Sequence, residues 1–364
     1  MTSLIRQRNE ENREIGEHEG YLIDRGWVLR VEAIKGSLVG DDLVRLVDGF
    51  RQLYEEAVNA KRFMPASPYY GTLSKDILEG MLRDISRYIL GGYLVSLALT
   101  GGDEEIRRIE ELLREVLKEE WRGPGRYLPV PILTRLTLNA LLSPRGELSG
   151  ELKDRLFVKP WELIAPLGLG YIDFNSLPAL RAIYGTIKPG DEERLCDESI
   201  DDPIIHDLLC MPVVSSFLRI YSEELDQRGE GNLRQALIND FQRWISKGEV
   251  LDLLKKLGLD AESLKIELRG LIHELSGKSL LELAMFSHCF EHEQRRCSSA
   301  HLTYMLYALI NGNEKLAKAH ALYGAVSVAG KLPTRLFLEA YKECCDLKNE
   351  SFRLAIARLF FYHL

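Results

Sequence analysis

Apolar residues recur every three to four positions over most of this chain, the period of helices that bury one face. In "DDLVRLVDGFRQLYEEAVNAKRF" (41–63) an Asp cap precedes Leu43, Leu46, Val47, Phe50, Leu53 and Tyr54, all on one side. The same period runs through "KDILEGMLRDISRYILGGYLVSLAL" (75–99). In "DEEIRRIEELLREVLKEEW" (103–121) Ile106, Ile109, Leu113, Val116 and Leu117 turn inward, while Glu104/Arg108 and Glu110/Arg114 pair outside at i,i+4. One early stretch departs from this pattern. In "YLIDRGWVLRVEAIKG" (21–36) two runs rich in β-formers flank Asp24-Arg25-Gly26, which predicts a small β-hairpin.

Residues 123–190 change character. Prolines and glycines crowd into "GPGRYLPVP", "SPRGELSG" and "FVKPWELIAPLGLGYIDF", predicting short helices, a short strand at Tyr171–Phe174, and a segment that wraps a core. "KPGDEERLCDESIDDP" (188–203) is acidic and aperiodic, and marks the expected boundary. From Ile204 onward every segment reads as helix. "MLYALINGNEKLAKAHAL" (305–322) superposes on "YKECCDLKNESFRLAIAR" (341–358) with a shift of 36. The shift sets Asn313-Glu314 on Asn349-Glu350, Leu316 on Phe352, and Ala319 and Ala321 on Ala355 and Ala357. Repeated helical hairpins of this length stack into arrays, although a bundle of similar helices gives the same outline. The expected fold is mainly α. Residues 1–190 form a helical domain with a short hairpin and a Pro/Gly-rich wrapping segment. Residues 191–364 form an all-helical bundle or short helical-hairpin array.

Composition narrows the setting. The chain has 364 residues, 46% of them hydrophobic and 28% charged, with a formal net charge of −8. That supports a real core and removes any overall basic surface, so phosphate binding would need a local patch. Interleaved Glu, Arg and Lys lean towards heat adaptation. Met1–Gly20 lacks an apolar leader core, and the apolar run 88–102 is too short to span a bilayer. Six cysteines suit a reducing compartment. The protein is expected in the cytoplasm, with no membrane partner.

Candidate chemistry concentrates in "SHCFEHEQRRC" (287–297). On one helix, Cys289 and His292 lie one turn apart, and "HDLLC" offers His206 and Cys210 in the same way. Two such pairs would give Zn²⁺ four soft ligands. The chain has no CxxC knuckle, and Cys210 and Cys289 sit among apolar neighbours as ordinary core cysteines do. An iron–sulfur cluster would draw on Cys196, Cys210, Cys289 and Cys297. The spacing of Cys210, Cys289 and Cys297 resembles that of the cluster domain of archaeal primase large subunits, but periodic helices continue past Cys297. "LSGKS" (275–279) lacks the glycine that a phosphate loop needs, with Ile272 in its place. Adjacent Cys344-Cys345 is expected within a helix, the side chains diverging. Aromatic residues beside basic ones recur at Lys61 and Arg62, at Arg122, Arg126 and Tyr127, and at Arg243 and Trp244. Such groups stack on bases and pair phosphates.

No nucleophile elbow and no His-Glu-x-x-His occurs in the chain. The favoured reading is therefore a non-catalytic interaction or scaffold subunit of a protein or ribonucleoprotein complex, without a cofactor. A second reading is an RNA- or DNA-binding subunit of an archaeal-type defence assembly, such as a CRISPR effector, or of an RNA-processing complex. A third is a zinc or iron–sulfur protein built on the His/Cys groups.

Overall fold

The computed structural model describes residues 24–63, 75–118, 130–145, 148–158, 238–239, 241–276, 294–327 and 332–364. Helix α1 covers residues 24–35. It is followed by α2 (Gly40–Phe63), α3 (Lys75–Thr100), α4 (Asp103–Lys118), α5 (Ile132–Leu142) and α6 (Gly150–Leu156). After the short helical stretch 241–245 come α7 (Gly248–Lys256), α8 (Ala261–Ser276), α9 (Gln294–Ile310) and α10 (Glu314–Ser327). Helices α11 (Leu332–Lys342) and α12 (Glu350–His363) complete the set. The described residues are helical, and none of them forms a strand. No helix among them is long and apolar enough to cross a membrane. The expected strand at Tyr171–Phe174 and the boundary near 190 lie outside the described residues.

The predicted hairpin at 21–36 is corrected: residues 24–35 are one helix. Its buried positions are Gly26, Leu29, Arg30 and Ala33, the i, i+3, i+4, i+7 set of a helix face. A glycine and an arginine on that face hide it from a hydrophobicity pattern. Meanwhile exposed Trp27 and Val28, with half-buried Val31, imitate a strand.

Two apolar cores share two helices. One core gathers α1–α4 and α6, including Leu29, Phe50, Leu53, Leu94, Ile109 and Leu152. The other gathers Phe241, Trp244 and α7–α11, including Leu254, Leu268, Leu306 and Phe337. Helix α5 sends Leu138, Leu141 and Leu142 into the first core and Ile132, Leu136 and Ala140 into the second. Helix α12 does the same, with Ala357, Phe360 and Phe361 on one side and Phe352, Ala355, Ile356 and Leu359 on the other. Close approach in the first core rests on Gly92 of α3, where a Cβ would run into the Phe50 ring.

Arginines tie the helix ends together. Arg30 is only 5% exposed. It donates from Nε to the Phe361 carbonyl at 2.6 Å and from Nη2 to the Tyr362 carbonyl, so α1 covers the carbonyl end of α12. A cation there also meets the negative end of the helix dipole. The tie is reciprocal: Arg358 of α12 donates to the carbonyl of Gly36, just past α1, at 3.0 Å. Arg353 reaches the Leu141 carbonyl in the last turn of α5, and Arg135 reaches the Phe157 carbonyl. An Arg30→Met variant keeps the stem but leaves two carbonyls short of a donor. Urea denaturation is expected to show a loss of about 1.5–3 kcal/mol, the range for hydrogen bonds to a charged group. A loss below about half a kcal/mol would contradict this account.

The C-terminal helices form two consecutive hairpins, α9–α10 and α11–α12. Asn313 caps α10 by accepting from the Leu316 amide at 3.2 Å, and Asn349 caps α12 by accepting from the Ser351 amide at 2.9 Å. These are the asparagines that the 36-residue shift superposes, and Leu316, Phe352, Ala319, Ala355, Ala321 and Ala357 are all buried. Cys344 and Cys345 are not within a helix as expected. They lie in the turn after α11, with their sulfurs joined.

Candidate functional site

The corner between α1 and α2 carries most of the large apolar side chains that the described residues leave in solvent. Trp27 is 55% exposed, Val28 and Val39 42%, and Val44 56%. The first two belong to α1, whose outward line runs Asp24, Val28, Val31, Lys35 at steps of four, three and four. Val39 and Val44 flank the start of α2. Between the helices a groove of ≈ 440 Å³ is lined by Val31, Glu32, Lys35, Leu38, Asp42 and Arg45 among others. A groove of that size lies in the range of small-ligand and side-chain pockets.

The corner is held rigidly from beneath. The guanidinium of Arg30 lies 4.9 Å from the Trp27 ring centroid, so the group that covers the end of α12 also fixes the indole from below. Asp42 accepts from Ser37 Oγ at 2.8 Å and pairs with Arg45. The Ser37 hydroxyl, then the Arg45 guanidinium, hold its carboxyl below the ordinary carboxylate value. Leu38, between these groups, is buried with φ +56°, a left-handed conformation that a leucine adopts only under constraint. Gly40 at φ +55° completes the turn without such cost.

Of the site residues singled out from sequence, Arg243 and Trp244 alone have described side chains, and Trp244 belongs to the second core. Trp244 is 3% exposed and packs on Phe241 at 5.7 Å between centroids, so its ring faces the second core, where no base can stack. Arg243 beside it is exposed. Lys61 and Arg62 fall in the last turn of α2, with side chains outside the described residues. Arg122, Arg126 and Tyr127 lie wholly outside them, as do His206, Cys210, Cys289 and His292. Among the described residues no three His, Cys, Asp or Glu side chains gather as a metal would require.

No family model matches this chain, and neither the curated proteins nor the solved structures include a match to it.

A second cluster, missed in the sequence, lies between α9 and α10. His301 and His320 are both buried, with their Nδ1 atoms 3.1 Å apart. At that distance one ring donates its N–H and the other accepts, so a single proton serves both nitrogens. His320 stacks on Tyr304 of the opposite helix at 5.4 Å, and His301 stacks on Tyr323 at 6.1 Å. Burial, then the neighbouring His301, drive the His320 pKa well below the ordinary imidazole value. Burial raises the Tyr304 and Tyr323 hydroxyls. A signal was present in the sequence: Ala-His-x-x-Tyr occurs at 300–304 and again at 319–323. The i, i+3 spacing puts each His and Tyr on one face, and the two copies meet head to tail. The cluster is closed to solvent, which makes it a structural joint of the second core.

Proposed function

We propose that this chain is a non-catalytic, helical interaction subunit that engages another polypeptide through the α1–α2 corner. The observation that supports this is the exposure of Trp27 beside Val28, Val39 and Val44, over a guanidinium that fixes the indole. Apolar side chains scattered singly over a surface are ordinary, whereas four within eighteen residues of one helix corner, one of them an aromatic beside a guanidinium, resemble the centre of an interface. Polar Glu32, Lys35, Asp42 and Arg45 at the groove supply the surrounding rim. A pre-set side chain loses less entropy on association than a freely rotating one.

The test compares the parent with Val28→Glu, in native affinity purification of the full chain from its source cells. Val28 points outward, so the substitution is expected to leave the circular-dichroism spectrum and urea midpoint unchanged within about 0.5 kcal/mol. A polypeptide companion in near-stoichiometric amount, retained by the parent and lost with Val28→Glu, supports the reading. Companions identical for both proteins overturn the assignment of this face. RNA retained by the parent in a salt-dependent manner, with no polypeptide, would favour a nucleic-acid subunit instead.

A further inference from the structure

We infer that Cys344 and Cys345 form a two-electron redox site, whose oxidation by a low-molecular-weight disulfide unwinds the last turn of α11. The molecule holds its own comparison for this. Under the 36-residue shift Ala308 and Leu309 stand where the cysteines do, and the two connections align without a gap. Helix α9 runs on through both residues to Ile310, leaving 311–313 before α10. Helix α11 stops at Lys342, leaving 343–349 before α12. Adjacent side chains leave a helix about 100° apart, which carries their Cβ atoms beyond the about 3.5–4.5 Å that a disulfide spans. A joined pair and a helical turn therefore exclude each other at 344–345. With the sulfurs joined, the helix has already ended. With two thiols, the pattern of the first hairpin becomes open to the second.

That pattern states what changes. In the first hairpin the Asn313 amide donates back to the Ala308 carbonyl at 2.8 Å and closes the end of α9, with Gly312 at φ +74°. In the second, the Asn349 amide donates to the Asp346 carbonyl at 2.9 Å instead. On reduction the Asn349 amide passes to the Cys344 carbonyl, and the amides of Cys345, Asp346 and Leu347 enter the helical ladder. Lys348 stands in the place of Gly312, and a lysine takes a left-handed φ only at a cost. The extended turn is thus held loosely enough for a sulfur–sulfur bond to displace it. Asn349 also caps α12, and its side chain donates to the Glu343 carboxylate at 3.1 Å, so the change reaches the start of the helix that both cores share.

The cysteines are half-buried beside α10, with Cys345 Sγ 3.7 Å from the Glu314 carbonyl, and keep a solvent side for a small reagent. The oxidant is a small disulfide of the glutathione type. One cysteine thiolate attacks a sulfur of glutathione disulfide, breaking its S–S bond and releasing one glutathione thiolate. The other cysteine thiolate then attacks the cysteine sulfur of that mixed disulfide and releases the second glutathione thiolate. The pair loses two electrons and two protons, the protons ending on the two glutathione molecules.

The test equilibrates the full chain with glutathione and glutathione disulfide at set ratios, alkylates free thiols, and cuts with trypsin. Cleavage after Lys342 and Lys348 isolates both cysteines in one peptide, apart from every other cysteine. That peptide is expected to pass from two alkylated thiols to none as the disulfide replaces glutathione, with no glutathione retained. Amide hydrogen exchange at 345–347 is expected to be about tenfold slower in the reduced protein than in the oxidised one. A Cys344→Ala/Cys345→Ala variant should show the slow exchange in every buffer. Lys348→Gly eases the extended turn, so the ratio of glutathione disulfide to the square of glutathione at half-oxidation should rise about fivefold. A pair that stays as thiols in glutathione disulfide alone, or stays joined in excess dithiothreitol, overturns the inference. So does exchange that is equal in the two forms, a double variant that exchanges as fast as the oxidised parent, or a Lys348→Gly midpoint equal to the parent's.

Discussion

Phe361→Ala is expected to cost about 3–5 kcal/mol, the range for deleting a buried phenyl ring and leaving a cavity. That is a large share of the roughly 5–15 kcal/mol by which a domain is stable. The ring is fully buried and stacks on Phe50 of α2 at 5.8 Å, with Phe360 edge-on at 5.4 Å. Helix α12 carries Ile356 and Leu359 into the other core, and Arg30 grips its carbonyl end. Loosening α12 on one side therefore releases both cores. Urea titration followed by far-ultraviolet circular dichroism should show a lower midpoint. In a background with Trp27, Trp121 and Trp161 replaced by Phe, the fluorescence of buried Trp244, which lies in the core that Phe361 does not enter, should shift at the same urea concentration. A Trp244 transition left where it stands in the parent would show that the cores melt separately and that α12 does not couple them.

Acid should weaken the fold through His320, and the sign follows from where the proton binds. In the unfolded chain an imidazole takes a proton near pH ~6.5. In the folded protein His320 is neutral well below that pH, since burial and His301 oppose the charge. The unfolded state thus binds more protons, and stability falls as pH drops below about 6.5, by about 1.4 kcal/mol per pH unit for one group. The decline continues until the folded protein itself takes up the proton, with helices α9 and α10 forced to accommodate it. His320→Gln, which does not titrate, should give a flatter profile below about pH 6.5. Urea midpoints at several pH values for parent and variant measure the difference. Parallel profiles would refute the assignment.

Legibility follows the physics of each element. Helices α2 and α4 are plain in the sequence because each lies on one core and shows water a polar face. Helix α5 has no such face. Thr134, Arg135 and Thr137 are buried along with its leucines, so its pattern is not amphipathic and its place between two cores leaves no period to read. Thr137 hides its hydroxyl by donating to the Leu133 carbonyl at 2.7 Å. Helix α1 is illegible for the opposite reason, with polar Arg30 inside and apolar Trp27 and Val28 outside. That inversion is itself the trace of the candidate interface, because side chains kept apolar in water invite a partner. In the His/Tyr joint the motif is visible, but only its two copies taken together suggest a contact. The dense His/Cys spacing of residues 287–297 is the louder pattern, and it lies outside the described residues.

The clasp between Arg30 and the carbonyls of Phe361 and Tyr362 joins residues 331 and 332 positions apart, and a ribosome must make everything between them before it can close. At about 5–20 residues per second, roughly 15–60 s separate the emergence of α2, ending at Phe63, from that of α12, starting at Glu350. Throughout that interval Phe50 and Leu53 border a cleft that Phe360 and Phe361 will later fill. A nascent chain of this design carries an apolar furrow uncovered through that interval, open to the side chains of any neighbouring chain until its own Phe360 and Phe361 arrive.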